Sequence, residues 1–474
     1  MLIFLIPFLT LWVCNPALAQ ESHVIPELSD AEVIFDQALQ AFEAGDFGMA
    51  YRRFRLIDRT LPVNRRTTAA RLMAGKSLYR ERRYGDAIEL LEDFIVQFPR
   101  STYVDDARAT IRLAQNELER ESNRTAPVSV GLAFPLSGND AALTQALFNG
   151  IRIAIDEHNA AHGSLVPVRM IFRDSQGTPP GARQAFSELH DQGANVVIGP
   201  LFSEEANAAA AVADAEGIVM VAPMATDESV SAGRTHVFQV NPTWTMRGRA
   251  MARFAHERYG IRTTGIVAQL GDSFGERMAE GFQDEAMRLG IDVPFYVLLN
   301  SGANWNGVAD SVGAARIDSV EALYLPIATG NAAQLASSAL TSLANAGTSL
   351  RVLGNVEWSD VTARDLATRF DATYNSDFYV MPDDPVAEEF AEKYRELAGD
   401  VPRGEIVRLA YTGYDVARFL LARLTEDTDM PLHERLLYAP RFQGLGVRIH
   451  FEGSNVNTAL YYFQHRPGRI DLLR

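Results

Sequence analysis

From Pro127 onward, short apolar runs alternate with amphipathic segments of helical period. The first apolar runs are "VSVGLAF", "VRMIF", "NVVIG" and "IVMVA", and helical patterns between them cover residues 140–161, 179–192 and a stretch from Ser203. Apolar runs that alternate with helices predict βαβ units and a parallel sheet that is covered on both faces. The alternation starts again at "TGIVAQ" and continues through "VPFYVLL", "EALYLPI" and "LRVLG". The pattern therefore predicts two α/β lobes.

The end of the chain is predicted to contribute to both lobes. Helices over residues 385–424 follow the second series and need a sheet to cover, so we expect the chain to cross between the lobes more than once. "GVRIHF" and "TALYYFQ" flank "EGSNVN" and predict a β-hairpin. We assign about 127–240 plus 385–440 to the first lobe, and about 241–384 plus 441–474 to the second.

Residues 29–121 have a helical pattern that contains an internal repeat. Aromatic, small and proline positions recur at a constant offset: Phe42, Phe47, Ala50, Phe54, Ile57 and Pro62 correspond to Tyr79, Tyr84, Ala87, Leu91, Phe94 and Pro99. This pattern resembles tetratricopeptide repeats, in which small residues let paired helices pack closely. Because two repeats and a terminal helix over 103–118 are few for a solenoid, we expect contacts with a neighbouring domain or a protein partner. The polar segment 122–126 is the predicted linker.

Composition limits the possible functions. The chain has 474 residues, enough for two or three domains, and 47% of them are hydrophobic, as in globular proteins. Its net charge of -16 argues against nucleic-acid binding, which normally needs a basic face.

The first 19 residues predict export. They form an apolar run that ends in Ala17-Leu18-Ala19, a small-x-small cleavage site. A membrane anchor is the alternative, but the run is shorter than the roughly 20 residues of a span, and prolines interrupt it. Cys14 is the only cysteine, and Val13 before it disfavours lipidation at this residue. Cleavage after Ala19 would leave a mature, periplasmic or otherwise extracytoplasmic protein without cysteine, and therefore without disulfides.

Residues 127 to about 465 resemble the type I periplasmic solute-binding proteins of the leucine/isoleucine/valine class. The resemblance rests on six motifs in order: "VGLAFPLSG", "VRMIFRDSQGTPPGA", "VVIGPLFSEEA", "GIVMVAPMAT", "GIVAQLGDSFGERMAEGF" and "FQGLGVRIHFEGSN". It implies a two-lobed fold that closes around a small ligand, commonly an amino acid whose carboxylate is held at helix N-termini.

The resemblance assigns ligand-binding residues in the first lobe, beginning with Ser137 in the first motif. Ser203 opens an alanine-rich segment and is predicted to be its N-cap, next to free N–H groups that suit an anion. Met224 and Ala225 would offer backbone groups, and Thr226 a hydroxyl. Alternatively, Ser203 and Thr226 only cap or turn their helices. The neighbouring Glu204 and Glu205 would repel an anionic ligand if they faced the cleft.

In the second lobe the resemblance assigns Glu357 and Phe274. Glu357 lies just beyond a predicted strand and would bind an ammonium group, although it could equally be a solvated loop carboxylate. Trp358 beside it could cover a ligand or pack into the core, the more frequent use. Phe274 stands where the family often has a tyrosine, so it would cover the ligand without a hydroxyl.

The segment from Gly271 to Gly275 also fits the G-x-S-x-G elbow of hydrolases, with Ser273 as nucleophile. However, no later histidine follows a suitable strand, and Ser273 with Glu276 fits the S-x-x-E capping box. His158 and His162 have a metal-compatible spacing without an H-E-x-x-H pattern. We therefore predict a protein that is not an enzyme, with no catalytic residue, metal or cofactor.

Two functions remain open at this point. In one, the protein captures a small amino-acid-like ligand and passes it to a membrane transporter or sensor, while the helical domain contacts a protein partner. In the other, it is a scaffold for cell-wall assembly that contacts a cell-wall synthase. Tetratricopeptide-like helices followed by a type I binding fold are also the layout of penicillin-binding protein activators. We favour ligand binding because Ser203 and Thr226 are retained.

Overall fold

The computed structural model describes residues 25–125, 127–136, 140–161, 166–426 and 428–473. The predictions on the signal peptide 1–19, Cys14, Ser137 and His162 lie outside these residues. The chain divides into two compact units at Thr125 and Ala126. No helix within the described ranges has the length and apolar character needed to cross a bilayer.

The first unit is entirely helical. Its elements are α1 (Ser29–Glu43), α2 (Phe47–Thr60), α3 (Thr67–Arg80), α4 (Tyr84–Gln97) and α5 (Val104–Thr125). The repeated small and apolar positions are the ones that pack: Ala50 and Phe54 of α2 are fully buried, as are Ala87 and Leu91 of α4. The predicted linker 122–126 begins as helix, since α5 continues to Thr125.

The first lobe of the second unit has a five-stranded parallel sheet. Its strands are β1 (Val128–Phe134), β2 (Val168–Asp174), β3 (Val196–Ile198), β4 (Val219–Ala222) and β5 (Val237–Gln239), in the order β2-β1-β3-β4-β5. The helices on its two faces are α6 (Ala141–Ala161), α7 (Pro179–Asp191), α8 (Ser203–Glu216), α15 (Pro385–Ala398), α16 (Glu405–Leu424) and α17 (Leu432–Leu437). Strand, helix and strand alternate as the apolar pattern predicts.

The second lobe has a seven-stranded sheet in the order β14-β13-β10-β9-β8-β6-β7. Its strands are β6 (Thr264–Gln269), β7 (Tyr296–Leu299), β8 (Ala322–Tyr324), β9 (Arg351–Gly354), β10 (Thr373–Ser376), β13 (Tyr461–Arg466) and β14 (Arg469–Leu473). The helices are α9 (Trp244–Tyr259), α10 (Ser273–Leu289), α11 (Val308–Val312), α12 (Ala314–Ile317), α13 (Ala332–Asn345) and α14 (Arg364–Arg369). Strands β6 to β10 are parallel, and the last two are antiparallel.

The predicted hairpin around "EGSNVN" is wrong. The segment before this loop forms β12 (Arg448–Ile449), which pairs with β11 (Phe442–Gln443), whereas β13 after the loop pairs with β10 and β14. Leu445, Val447 and Ile449 are buried in the core of the first lobe. Residues 441–456 therefore pack with the first lobe, although the sequence assigned 441–474 to the second.

Glycines allow the closest helix contacts in each lobe. A Cβ on Gly150 of α6 would collide with the carbonyl oxygen of Ala410 in α16, and one on Gly413 of α16 with that of Leu147. The pair α9 and α10 repeats this arrangement at Gly248 and Gly281. Because the two backbones of each pair are in contact at these glycines, the distance and the angle between the paired helices are fixed. This contact in turn fixes the ends of the strands that the helices pack against.

Candidate ligand-binding cleft

Ser203 and Thr226 lie together at the carboxyl end of the first lobe's sheet. Ser203 follows β3, Thr226 follows β4, and these strands are neighbours. The Ser203 Oγ accepts hydrogen bonds from the backbone N–H of Thr226 at 3.1 Å and of Asp227 at 3.2 Å. The N-cap prediction for Ser203 is wrong, because the extended Phe202 holds that position and Ser203 is the first helical residue. Through these hydrogen bonds the Ser203 hydroxyl links the segment after β3 to the segment after β4.

Met224 and Ala225, predicted to offer backbone groups to a ligand, have carbonyl oxygens with partners within the lobe. The Met224 oxygen accepts from Asn241 Nδ2 at 2.9 Å, and the Ala225 oxygen from Gln239 Nε2 at 3.1 Å. Ala225 is buried, whereas Met224 and Thr226 are half-buried. A carbonyl oxygen has a second lone pair, so both groups can still accept one more hydrogen bond.

The two glutamates after Ser203 differ in environment. Glu204 is exposed, while Glu205 is buried and accepts a hydrogen bond from Ser175 Oγ at 2.7 Å. Burial raises the pKa of the Glu205 carboxyl, against the Ser175 hydrogen bond, and Asp140 and Glu204 raise it further. The carboxylate of Glu205 is therefore directed at β2, so of the two glutamates only Glu204 presents a solvated negative charge beside Ser203.

In the second lobe, the S-x-x-E capping box is displaced by one residue. Asp272 is the N-cap of α10, and its Oδ1 accepts from Gly275 N at 3.1 Å. Glu276 Oε1 accepts from Gly271 N at 2.6 Å, while Ser273 is the exposed first helical residue. The sequence predicted Ser273 as the cap, but the longer Asp272 side chain also accepts from Ala328 N and so ties α10 to the end of β8.

Phe274 forms an aromatic pair at the start of α10. Its ring stacks on that of Trp244, the first residue of α9, with centroids 4.6 Å apart and 23° between the planes. Phe274 is 46% exposed, and Trp244 is half-buried. The pair thus offers an accessible ring face at the edge of the second lobe.

Glu357 is a half-buried carboxyl in a short turn after β9. It accepts a hydrogen bond from Asn355 Nδ2, and Asn355 also bonds both backbone groups of Ile327. Burial raises the pKa of Glu357, and Asp377 and Asp272 raise it further, although the charge of Arg247 lowers it. Trp358 is 1% exposed and donates to the Leu325 oxygen at 3.2 Å, so it packs in the core.

Arg277 links the two lobes next to these residues. This α10 side chain contacts the carboxylate of Glu228 and lies 3.8 Å from Asp227, both in the turn that follows Thr226. Glu228 also accepts from Thr245 Oγ1 at 2.7 Å, another residue of the second lobe. The sequence analysis did not include Arg277 among the site residues. Its position one helical turn after Phe274 in α10 could have indicated that it lies near the same site.

A buried charge network lies where the chain passes between the lobes. Asp377, just after β10, contacts Arg247 Nη1 at 3.0 Å and the guanidinium of Arg408 in α16. Burial alone would raise the pKa of Asp377, but the charges of the two arginines hold it below its usual range. Arg247 also donates to Asn241 Oδ1 at 2.8 Å. No sequence motif indicated this network.

The described residues contain no group of three His, Cys, Asp or Glu side chains arranged to hold a metal ion. His158 lies at the end of α6, where its Nε2 is 3.3 Å from the Val166 oxygen.

This arrangement of two lobes agrees with the comparison with known proteins. The family model described as "Periplasmic binding protein" matches residues 127–463. The chain belongs to the periplasmic binding protein family. A second model, described as "Outer membrane lipoprotein", matches residues 28–124, which are the α1 to α5 region.

Curated periplasmic binding proteins are similar to part of the chain. A Leu/Ile/Val-binding protein, BraC3, from Rhizobium johnstonii is 28% identical over 160 residues, 33% of this chain and 43% of that protein. A leucine-, isoleucine-, valine-, threonine- and alanine-binding protein from Pseudomonas aeruginosa is 25% identical, over 37% of this chain and 47% of its own length. The chain spans about half the length of the curated relatives it matches.

Solved structures share the two-lobed fold. An ABC transporter substrate-binding protein from Desulfitobacterium hafniense is 22% identical with a TM-score of 0.51, covering 73% of this chain and 100% of that one. A structure described as a branched-chain amino acid ABC transporter from Rhodospirillum rubrum is also 22% identical, has a TM-score of 0.59, and covers 73% of this chain and 100% of that one. These similarities confirm the predicted fold class for the second unit.

Proposed function

We propose that this protein is an extracytoplasmic solute-binding protein that holds a small amino-acid-like ligand between its two lobes. The observation that carries the proposal is the linkage between Arg277 and the turn after Thr226. It brings the carboxyl ends of the two sheets to one cleft, with Ser203 and Thr226 on one side and Phe274 on the other.

The groups along this cleft suit an amino acid. The backbone N–H groups at the start of α8 and the Thr226 hydroxyl are hydrogen-bond donors for an α-carboxylate. The oxygens of Met224 and Ala225 and the carboxyl of Glu357 are acceptors for an ammonium group. The ring of Phe274 would cover an apolar side chain. Relatives whose names specify leucine, isoleucine and valine support the same ligand class.

Titration with amino acids tests the proposal. The purified chain is heated with leucine, isoleucine, valine, threonine, alanine and charged amino acids, each in excess. A ligand at a hundred times its Kd adds about 2.7 kcal/mol to the free energy of unfolding. We expect a rise in Tm with at least one of them, and a weaker response in Thr226→Ala at unchanged Tm without ligand. An unchanged Tm with every amino acid would contradict the proposal.

A second candidate is a scaffold that regulates peptidoglycan synthesis, as in penicillin-binding protein activators. The match of residues 28–124 to an outer membrane lipoprotein model favours it, because an added helical unit offers a surface for a protein partner. Capture of a cell-wall synthase by the full chain, lost after removal of α1 to α4, would support this function. A transporter as the capture partner would support the first.

A further inference from the structure

A long stretch of the second lobe carries no charge. From Ala322 to Leu350 the sequence contains no Asp, Glu, Lys, Arg or His, although 22% of the chain is charged. This stretch includes α13, whose outer face is exposed at Gln334 and Thr341. The solvent face of a helix in a soluble protein normally carries charged side chains. The exposed face of α13 carries hydroxyls and amides instead.

Two adjoining cavities lie along this face. One measures about 470 Å³ and the other about 310 Å³, and they share Asn306, Gln334 and Ser338. Because they share these residues, they form one groove, which we call the α13 groove. It extends from Gln269, at the carboxyl end of β6, to Thr362. The groove is shallow and open to solvent, so a ligand would lie along it rather than inside it.

The lining of the α13 groove consists of uncharged polar groups. Nine of its eleven side chains carry a hydroxyl or an amide, and the other two are Leu335 and Ala363. Within the described part of the chain, the side chains of Asn306, Gln334 and Ser338 make no hydrogen bond of their own. Gln334, Ser338 and Thr341 follow a helical i, i+4, i+7 spacing, so they point to one side of α13. The other six polar side chains of the groove each take part in a hydrogen bond within the lobe, so the unused donors and acceptors are those of Asn306, Gln334 and Ser338.

We propose that the α13 groove binds a neutral oligosaccharide. A ligand with a formal charge would meet no opposite charge in this lining, so its charge would add nothing to binding. A protein partner is disfavoured because interface centres are rich in aromatic residues and arginine, and no exposed large apolar side chain lies between residues 322 and 350. Sugar hydroxyls both donate and accept, as amides and hydroxyls do. Since no aromatic ring lines the groove, the affinity is modest, with a Kd on the order of 1 mM.

Calorimetric or saturation-transfer NMR titration of the full chain tests this site. The probes are two neutral tetrasaccharides, tetra-N-acetylchitotetraose and cellotetraose, and an anionic one, tetragalacturonate. We expect binding of at least one neutral probe and none of the anionic one. In the double variant Asn306→Ala/Gln334→Ala the Kd rises about tenfold, because two direct hydrogen bonds are lost. Asn345→Ala is the matched control, an exposed amide on α13 outside the groove.

Three results would overturn the proposal: no binding of either neutral probe at about 10 mM, an unchanged Kd in the double variant, or equal weakening in Asn345→Ala. If the double variant does not fold by circular dichroism, Ser338→Ala replaces it, with an expected rise in Kd of about threefold because one hydrogen bond is lost. The α13 groove begins at the carboxyl end of β6, but it shares no lining residue with the residues proposed for the cleft. Sugar binding therefore persists in Thr226→Ala, and the amino-acid response persists in the groove variants.

Discussion

Arg277 of the second lobe forms an ion pair with Glu228 of the first, immediately beyond the turn that holds Thr226. Both side chains are more than a third exposed, so the pair contributes at most about 1 kcal/mol. A contribution of this size favours the present arrangement of the two lobes without locking it.

Removing this ion pair should open the cleft. We expect Arg277→Ala to increase the radius of gyration in small-angle X-ray scattering and to weaken ligand binding by up to about fivefold. The difference from the unaltered protein should disappear in about 1 M salt, because exposed charges are then screened. Arg288→Ala is the control, since Arg288 lies on the same helix and pairs within its own lobe. Equal effects of the two substitutions would show that the link between lobes is not responsible.

The hydroxyl of Ser203 should matter for stability as well as for binding. Ser203→Ala leaves the N–H groups of Thr226 and Asp227 without their acceptor, which costs about 1 to 3 kcal/mol in urea unfolding. Ser273 is likewise the first residue of its helix, but its hydroxyl accepts no such hydrogen bond. Ser273→Ala should therefore lower the free energy of unfolding by less than about 0.5 kcal/mol. Similar losses in both variants would contradict the role given to Ser203.

Asp377 should be the most sensitive acidic residue between the lobes. Asp377→Asn removes the countercharge of Arg247, a buried cation, and is expected to cost about 3 to 5 kcal/mol in the free energy of unfolding. Asp371→Asn provides the comparison, because Asp371 pairs with arginines at the surface and should cost no more than about 1 kcal/mol. If Asp377→Asn lowers the free energy of unfolding as little as Asp371→Asn does, then water must solvate Arg247 in place of the lost carboxylate.

Asp415 should make stability depend on pH. It is fully buried in α16, where burial raises the pKa of its carboxyl from 3.8 to about 6 against hydrogen bonds from the N–H groups of Gly446, Val447 and Leu445. Between these pH values the folded protein binds more protons than the unfolded chain, so stability falls as pH rises. We expect Asp415→Asn to remove this fall between about pH 4 and pH 6 in thermal melts. An identical pH profile in the variant would contradict this assignment.

The close contact between α9 and α10 gives a steric prediction. Gly248→Ala places a methyl group on the carbonyl of Met278, so we expect a loss of about 1 to 3 kcal/mol and a lower Tm. Gly85→Ala in α4 enters open space at an exposed helical position and should be neutral or stabilising by up to about 1 kcal/mol. A Gly248→Ala protein with unchanged Tm would show that the two helices can move apart.

Local patterns in the sequence were sufficient for the alternation of strands and helices. Buried parallel strands such as β1 and β4 are continuous apolar runs, which the sequence displays directly. The hairpin prediction failed because β13 pairs with β10, which is distant in sequence. No residue near Tyr461 indicates this pairing. Of the site residues, Ser203 and Thr226 do lie together, but the position of Ser203 relative to the helix start was wrong by one residue.

The charged residues of the site could not be predicted in the same way. Arg277 acquires its role from Glu228, and Asp377 from Arg247 and Arg408, and in each case the partner is distant in sequence. A single sequence gives the residue types but not these pairings. Phe274 was recognisable only through a family resemblance, and its partner Trp244 was not recognised at all.

The position of β13 and β14 at the end of the chain also determines when the protein can finish folding during its synthesis. Both lobes need chain segments made late: the first waits for α15 and α16, and the second for strands that end at Leu473. Contacts between residues so far apart in sequence slow folding. A ribosome must therefore deliver almost the whole polypeptide before either lobe is complete, and a truncation before Tyr461 leaves β10 as an unpaired edge that invites aggregation.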